Sequence, residues 1–206
     1  MSLPSPCALP ILILAAGQSS RMRGRDKLME TVEGKPLIRR QVEMARATTT
    51  GAVLVTLPTL DHPRAAPLAD IDVSLIPVPD AATLGMSISL RRGLQALPDE
   101  APAVMVLLAD LPALTAPDLA RVCAAVSFDT DTLIWRGATD AGAPGHPIVF
   151  ARALFNTLQQ ITGDSGGNDV VAQHLDHMVL VPLPGQRARL DLDTPEDWDA
   201  WHARNA

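Results

Sequence analysis

Tyrosine is absent from this chain, and aromatic residues of all kinds make up only 3% of it. Nucleic-acid binders stack bases on aromatic rings and present a basic face, whereas the formal net charge here is −6. Both shortages argue against nucleic acid as the main partner. Cysteine is nearly missing as well, with Cys7 and Cys123 the only two. Two thiols of unknown proximity make neither a disulfide framework nor a zinc site, and the expectation is a reducing, cytoplasmic setting. The one N-terminal apolar run, residues 8–16, falls well short of the ~20 residues that span a bilayer. No Lys or Arg precedes Arg21 to make the basic leader of a signal peptide. The run is expected to be a buried strand rather than a membrane or targeting segment, after a loose lead-in over residues 1–7.

What is present is an ordinary globular composition, 47% hydrophobic and 19% charged over 206 residues, enough for one well-packed core. Repeats and long linkers are lacking, so residues 8–206 are expected to form a single domain. Apolar strand patterns fall at 11–14, 52–57, 73–78, 104–108, 132–135, 146–150 and 178–183. Helical patterns fall between them at 36–47, 87–97, 115–126, 152–160, 169–177 and from 194 onward. Ser87, Thr115 and Thr194 read as N-caps, the last two in Thr-Ala-Pro-Asp and Thr-Pro-Glu-Asp helix starts. Strands separated by helices imply an α/β fold, a doubly wound and mostly parallel sheet. Residues 132–150, which carry a Gly-rich turn over 137–145, are expected to be a small antiparallel excursion.

The most informative stretch is Ile11-Leu-Ile-Leu-Ala-Ala-Gly-Gln-Ser-Ser-Arg-Met-Arg-Gly-Arg-Asp-Lys27. An apolar run stops at Ala15-Ala16-Gly17, and a small polar loop follows with Arg21, Arg23, Arg25 and Lys27 against the single acid Asp26. Ligands of open α/β sheets sit at the carboxyl ends of strands, where small residues admit phosphate to backbone N–H groups and cations balance its charge. This predicts a polyphosphate-binding loop with Lys27 at the α-phosphate. The stretch matches neither GxxxxGK[ST] nor GxGxxG.

Asp110 ends the buried run 104–108, a position suited to Mg2+, which prefers oxygen ligands and phosphate partners. Asp193 precedes the Thr194 cap, has no evident structural task, and is the candidate second ligand. Gly85-Met86-Ser87-Ile-Ser89 offers donors to a base or ribose, although an N-cap role explains Ser87 by itself. His146, beside a proline, reads as structural when taken alone. His174 and His177 lie three apart on a helix but lack a third ligand of suitable spacing. Gly163-Asp-Ser-Gly-Gly167 has the letters of a serine-protease nucleophile loop. An α/β pattern and only Asp61-His62 as base and acid argue against that chemistry.

Together these segments resemble the molybdenum-cofactor nucleotidyltransferases, and most closely their cytidylyltransferase branch. The resemblance runs from Ile11 to Trp198. It rests on Leu14-Ala-Ala-Gly17 through Arg21-Met22 to Lys27, Gly85-Met-Ser-Ile-Ser-Leu-Arg91, Ala109-Asp-Leu-Pro112, Gly145-His-Pro-Ile-Val-Phe150, Gly163-Asp-Ser-Gly166 and Asp191-Leu-Asp-Thr-Pro-Glu-Asp197. It implies a Rossmann-like nucleotidyltransferase fold and Mg2+-dependent transfer of CMP from CTP to the terminal phosphate of Mo-molybdopterin. Leu14, Ala15, Ala16, Gly17, Ser19, Ser20, Arg21, Lys27, Gly85, Met86, Ser87 and Ser89 would then bind nucleotide. Lys27, Arg21 and Asp110 would be catalytic, Asp110 and Asp193 would hold the metal, and His146, Asp164 and Gly166 would meet the acceptor. A recipient molybdoenzyme is a possible partner. Ala-Ala-Gly, in place of the Ala-Gly-Gly of the guanylyl branch, favours CTP over GTP. Two departures stand out: Arg23 precedes Gly24 where relatives have glycine directly after Arg-Met, and Gly167-Asn168 replaces a small-then-basic pair. Competing readings are guanylyl transfer, transfer to another small phosphorylated acceptor, and a non-catalytic protein that binds and delivers the pterin cofactor.

Overall fold

The structure, a computed structural model, describes residues 7–164 and 166–205. Most of the predicted lead-in, and Ser165 of the Gly163–Gly166 motif, lie outside the described residues. Strand β1 (Ile11–Leu14) leads through the polar loop to a short hairpin, β2 (Thr31–Val32) and β3 (Lys35–Pro36), and then to helix α1 (Leu37–Thr48). Strand β4 (Val53–Leu57), a 3-10 segment over Pro63–Leu68, strand β5 (Ser74–Pro77) and helices α2 (Ala81–Leu84) and α3 (Met86–Gln95) follow. Next come β6 (Ala103–Leu108), α4 (Ala116–Ala124), β7 (Ile134–Ala138) and β8 (Pro144–Ala151). Helices α5 (Phe155–Leu158) and α6 (Asn168–Gln173), strand β9 (Met178–Pro182) and helix α7 (Pro195–Asn205) complete the order.

The main sheet runs β5-β4-β1-β6-β8-β7-β9. β1 pairs in parallel with β4 on one side and β6 on the other, in a register that sets Leu14 beside both Thr56 and Leu108. β8 alone runs antiparallel, against β6 and β7, so the expected antiparallel excursion is present. The chain winds outward from β1 to β4 and β5, then returns to β6 on the opposite side. That reversal opens a crevice beyond the carboxyl ends of β1 and β6, the place where open α/β sheets bind ligands.

Period-2 alternation sorts β1 between two cores. Ile11 and Ile13 pack with Leu37, Ile38 and Val42 of α1, Leu119 and Val122 of α4 and Trp198 of α7. Leu12 faces Leu90 and Leu94 of α3, Leu158 of α5 and Val170 and Val171 of α6. Helices therefore cover both faces, which is why β6 is apolar at every position. Thr115 starts α4 as expected: Asp118 accepts from its backbone N–H at 3.0 Å and from its hydroxyl at 2.7 Å.

Several expectations are corrected. The helix expected over 152–160 is a 3-10 turn, Arg152–Leu154, followed by α5, and that expected over 169–177 breaks at His174, which leaves helical geometry at φ −129°. Gly137 and Gly145 belong to strands, and the turn between them is closed by Thr139 and Ala143. Cys7 and Cys123 are joined in a disulfide. Cys7 pairs with Thr48 and Thr50 at the end of α1, which packs on α4, and this brings the thiols together across 116 residues. The thiol-based argument for a reducing setting lapses accordingly. Among the described residues, no helix is long and apolar enough to cross a membrane.

Candidate active site

The loop after β1 is pinned at both ends by one buried cation. Arg64, from the 3-10 segment after β4, is 2% exposed. Its Nε and Nη2 donate to the two carboxylate oxygens of Asp26 at 2.7 and 2.8 Å, and its Nη1 donates to the carbonyl of Ala15 at 2.6 Å. Ala15 opens the loop and Asp26 closes it, so a single guanidinium joins start to finish. Ser19 braces the middle: its hydroxyl donates to Asp26 and accepts the backbone N–H of Lys27, each at 3.3 Å. Burial raises the Asp26 pKa, but hydrogen bonding and charge from Arg64 outweigh it and hold the carboxyl below its usual range. Arg23 adopts φ 52°, left-handed geometry that glycine enters without strain, and reaches Glu196 at 2.7 Å. The irregularity seen in the sequence thus fits replacement of a glycine, with the side chain pointing outward.

Lys27, directly after Asp26, is aimed into the crevice. Its Nζ stands 2.6 Å from Asp110 Oδ2 and 2.7 Å from Asp193 Oδ1. Arg21 reaches the other oxygen of Asp193 at 2.7 Å. Four residues predicted to work together therefore meet, although 83 and 166 positions separate Lys27 from the two acids. Asp110 arrives because Ala109 N–H bonds the carbonyl of Leu14, which aligns the ends of β6 and β1. Asp193 is fixed by Asp197, whose Oδ2 accepts the N–H groups of Asp193 and Thr194 at 3.3 and 3.0 Å, so Thr194 and Asp197 act as the cap of α7. Burial lowers the Lys27 pKa, but Asp110 and Asp193 more than offset it and hold the amine above the ordinary lysine value. Asp110 Oδ1 is buried without a hydrogen-bond partner.

A cavity of about 400 Å³ surrounds this cluster, lined by residues 14–21, Lys27, Gly85, Met86, Ser89, Asp110, Asp164 and Asp193 among others. A second, of about 520 Å³, shares Ala16–Ser20 with it and lies against Pro58, His62, Val78 and Pro79. Gly85 rather than Ser87 caps α3. It sits at φ +77°, and an added Cβ would stand 2.1 Å from Asp164 Oδ1, so only glycine allows the two loops to meet. Ser87 is buried within α3, its hydroxyl 3.4 Å from the carbonyl of Leu84, and it lies outside the cavity lining. Gly166 backs onto Met86. His146 is not among the residues that line either cavity. Burial and then the Arg136 charge push its pKa down to about 4, leaving a neutral ring whose Nδ1 has no partner. His174 and His177 each place Nδ1 2.8 Å from a backbone carbonyl.

Arg64 is the residue that sequence reading missed. Replacing it by Met leaves Asp26 unpaired and the loop untethered. The expected cost is about 2–4 kcal/mol by denaturant unfolding, toward the low end because Asp26 keeps some solvent contact. Arg64→Met/Asp26→Asn should recover part of that loss, whereas an additive double-variant result would contradict the pairing.

The chain matches the family described as MobA-like NTP transferase domain over residues 11–178. It is 33% identical over 118 residues to the bifunctional protein GlmU of Methylobacillus flagellatus, a match covering 56% of this chain. The chain spans only about a quarter of the length of such curated relatives, 25% in this case. Among solved structures, Rv0371c of Mycobacterium tuberculosis H37Rv superposes with TM-score 0.80 at 24% identity, over 94% of this chain and 97% of that one. Rv0371c has also been solved in complex with manganese. A CMP:2-keto-3-deoxy-manno-octonic acid synthetase complexed with CTP superposes with TM-score 0.70 at 16% identity, over 97% of this chain and 100% of that one. At these identities the structural likeness is one of fold.

Proposed function

The chain belongs to the MobA-like NTP transferase domain family, and from that premise we propose that it transfers a nucleotidyl group from a nucleoside triphosphate to a small phosphorylated acceptor, releasing pyrophosphate. The finer reading is CMP transfer from CTP to the terminal phosphate of molybdopterin, within one domain of residues 8–206. The observation that carries the proposal is Lys27 Nζ held between Asp110 and Asp193 at the crevice beyond β1 and β6.

The donor set suits a divalent cation. Asp110 has a free buried oxygen and shares its one cation, Lys27, with Asp193. Among the described residues there is no cluster of three or more His, Cys, Asp or Glu able to enclose a metal. Mg2+, which takes few protein ligands and completes its shell with phosphate and water, fits such a pair. When bound, it would neutralise charge on the reacting phosphates.

The chain's own residues do the rest. An oxygen of the acceptor phosphate attacks the α-phosphorus, the bond to the bridging β-phosphate oxygen breaks, and pyrophosphate leaves with the electron pair. A phosphate monoester has a second pKa near ~6 and is already anionic at neutral pH, so no general base is needed. Bringing two anions together is the difficulty. Lys27 and Arg21 supply fixed positive charge where the triphosphate lies, and Arg64 holds the loop so that this charge need not reorganise during reaction. The two cavities that share Ala16–Ser20 give room for a triphosphate and its nucleoside. The decisive experiment is pyrophosphate release with each of the four NTPs plus Mg2+, with and without molybdopterin. Release that needs molybdopterin and is fastest with CTP is expected, and no release above background with any NTP would overturn the proposal.

A further inference from the structure

Arg136 and Arg189 stand together with no counter-charge. Arg136 lies on β7, in register with Ile148 of β8, on the sheet face that Ile134 and Ile148 share with α3 and α6. Its Nε donates to the carbonyl of Gly145 at 2.8 Å. Arg189 lies in the turn before Asp191, and its Nη1 reaches the carbonyl of Pro144 at 3.3 Å. Two guanidinium groups thus hang on consecutive carbonyls at the start of β8. The turn comes this close only because residue 145 is glycine: a Cβ there would stand 2.1 Å from the carbonyl oxygen of Ala188, which accepts the His146 N–H at 2.8 Å.

Among the described residues, neither arginine has a carboxylate within ion-pair distance, and both guanidinium groups share the start of β8. The chain has acids to spare, 23 against 17 Lys and Arg. Holding two like charges side by side, one of them half-buried, is unfavourable unless an anion joins them. Burial and then the neighbouring Arg189 charge hold the Arg136 pKa below the ordinary guanidinium value.

Their place relates them to the candidate active site. Val106 of β6 faces Ile148 of the antiparallel β8, so Pro144 and Gly145 run out past the carboxyl end of β6, the end that carries Asp110. Four residues beyond Arg189, Asp193 meets Lys27 Nζ. The arginines therefore stand at the carboxyl-end side of the sheet, across β6 from β1 and its loop. Leu180 of β9, beside Arg136 in the sheet, is 37% exposed and adds apolar surface.

We propose that Arg136 and Arg189 form an anion-binding site that grips a phosphate, or another oxyanion, of the acceptor at a point remote from its attacking phosphate. That the anion belongs to an acceptor rests on the nucleotidyl-transfer reading. The acceptor class is then an organic molecule with an apolar body and negative charge at two separated positions.

Inorganic phosphate is the probe, titrated calorimetrically into the full chain without nucleotide and with saturating CTP and Mg2+. A phosphate site that survives nucleotide loading is expected. Arg189→Gln, on an exposed turn, should weaken it about tenfold, Arg136→Lys should keep most of it, and Arg136→Gln/Arg189→Gln should abolish it. Thermal unfolding of each variant separates lost binding from lost fold. In turnover, Arg189→Gln should raise the acceptor KM about tenfold without moving the CTP KM. Unchanged phosphate affinity in the double variant, or no saturable phosphate binding in the parent chain, overturns the site. Arginine-dependent phosphate binding with no pyrophosphate release from any NTP would keep the site and overturn its assignment to an acceptor.

Discussion

Asp110→Asn should lower kcat/KM for pyrophosphate release by about 10³-fold while leaving the thermal midpoint within a few degrees. The side chain has little structural work: its Oδ2 meets Lys27 Nζ, and its Oδ1 meets nothing. Asn keeps the shape and removes the charge, so any loss is a loss of electrostatics at the reacting centre. Lys27 retains Asp193 in that variant, and the fold should hold. Asp193→Asn should behave similarly, with an added contribution because Arg21 loses its anchor. Each variant is checked by steady-state pyrophosphate release beside thermal unfolding. A near-normal rate in folded Asp110→Asn would remove the metal-pair assignment, and an equal collapse of rate and stability would make Asp110 a structural residue.

Legibility in the sequence followed a physical rule. Asp110 could be read because it follows a buried strand at the ligand-binding end of the sheet, and Asp193 because it had no local structural task, whereas Asp118 and Asp197 were already used as helix caps. The loop could be read because small residues after an apolar strand have few purposes. Arg64 could not. It looks like one more surface charge in Pro-Arg-Ala-Ala-Pro, and its burial depends on Ala15 and Asp26, 49 and 38 residues away. The one faint signal was that a cation-rich loop held a single acid, which implies that some cation claims it. The β2–β3 hairpin is too short for periodicity to register, although Glu33-Gly34, both at positive φ, is the pairing a tight hairpin turn needs. Ser87 was misread because serine is the common N-cap, and nothing local reveals that Gly85 must meet Asp164. Proximity of Cys7 and Cys123 follows from the docking of α1 on α4, a tertiary fact. Arg136 and Arg189 are 53 residues apart, and nothing in their local sequences pairs them.

Lys27→Ala should reduce kcat by about 10²–10³-fold and raise the NTP KM far less, because its charge matters most where negative charge develops on the reacting phosphates. Lys27 differs from the other loop cations in what it releases when removed. Asp110 and Asp193 are then left facing each other without their shared cation. Divalent cations should bind the nucleotide-free variant more tightly than the parent chain, since Lys27 competes for the same oxygens. Calorimetric titration with Mg2+ or Mn2+ reads this directly, and weaker metal binding in Lys27→Ala would contradict a site built from those two acids. The pH dependence gives a further check. Lys27 titrates above the ordinary lysine value of 10.5 in the folded chain, so it stays charged across the neutral range. The stability it contributes is present below that ordinary value and is lost only as pH rises through the higher folded pKa. The kcat ratio of parent to Lys27→Ala should therefore be flat from about pH 6 to pH 9. A ratio that slopes across that window would mean Lys27 exchanges a proton during turnover, acting as an acid or base rather than as a fixed charge.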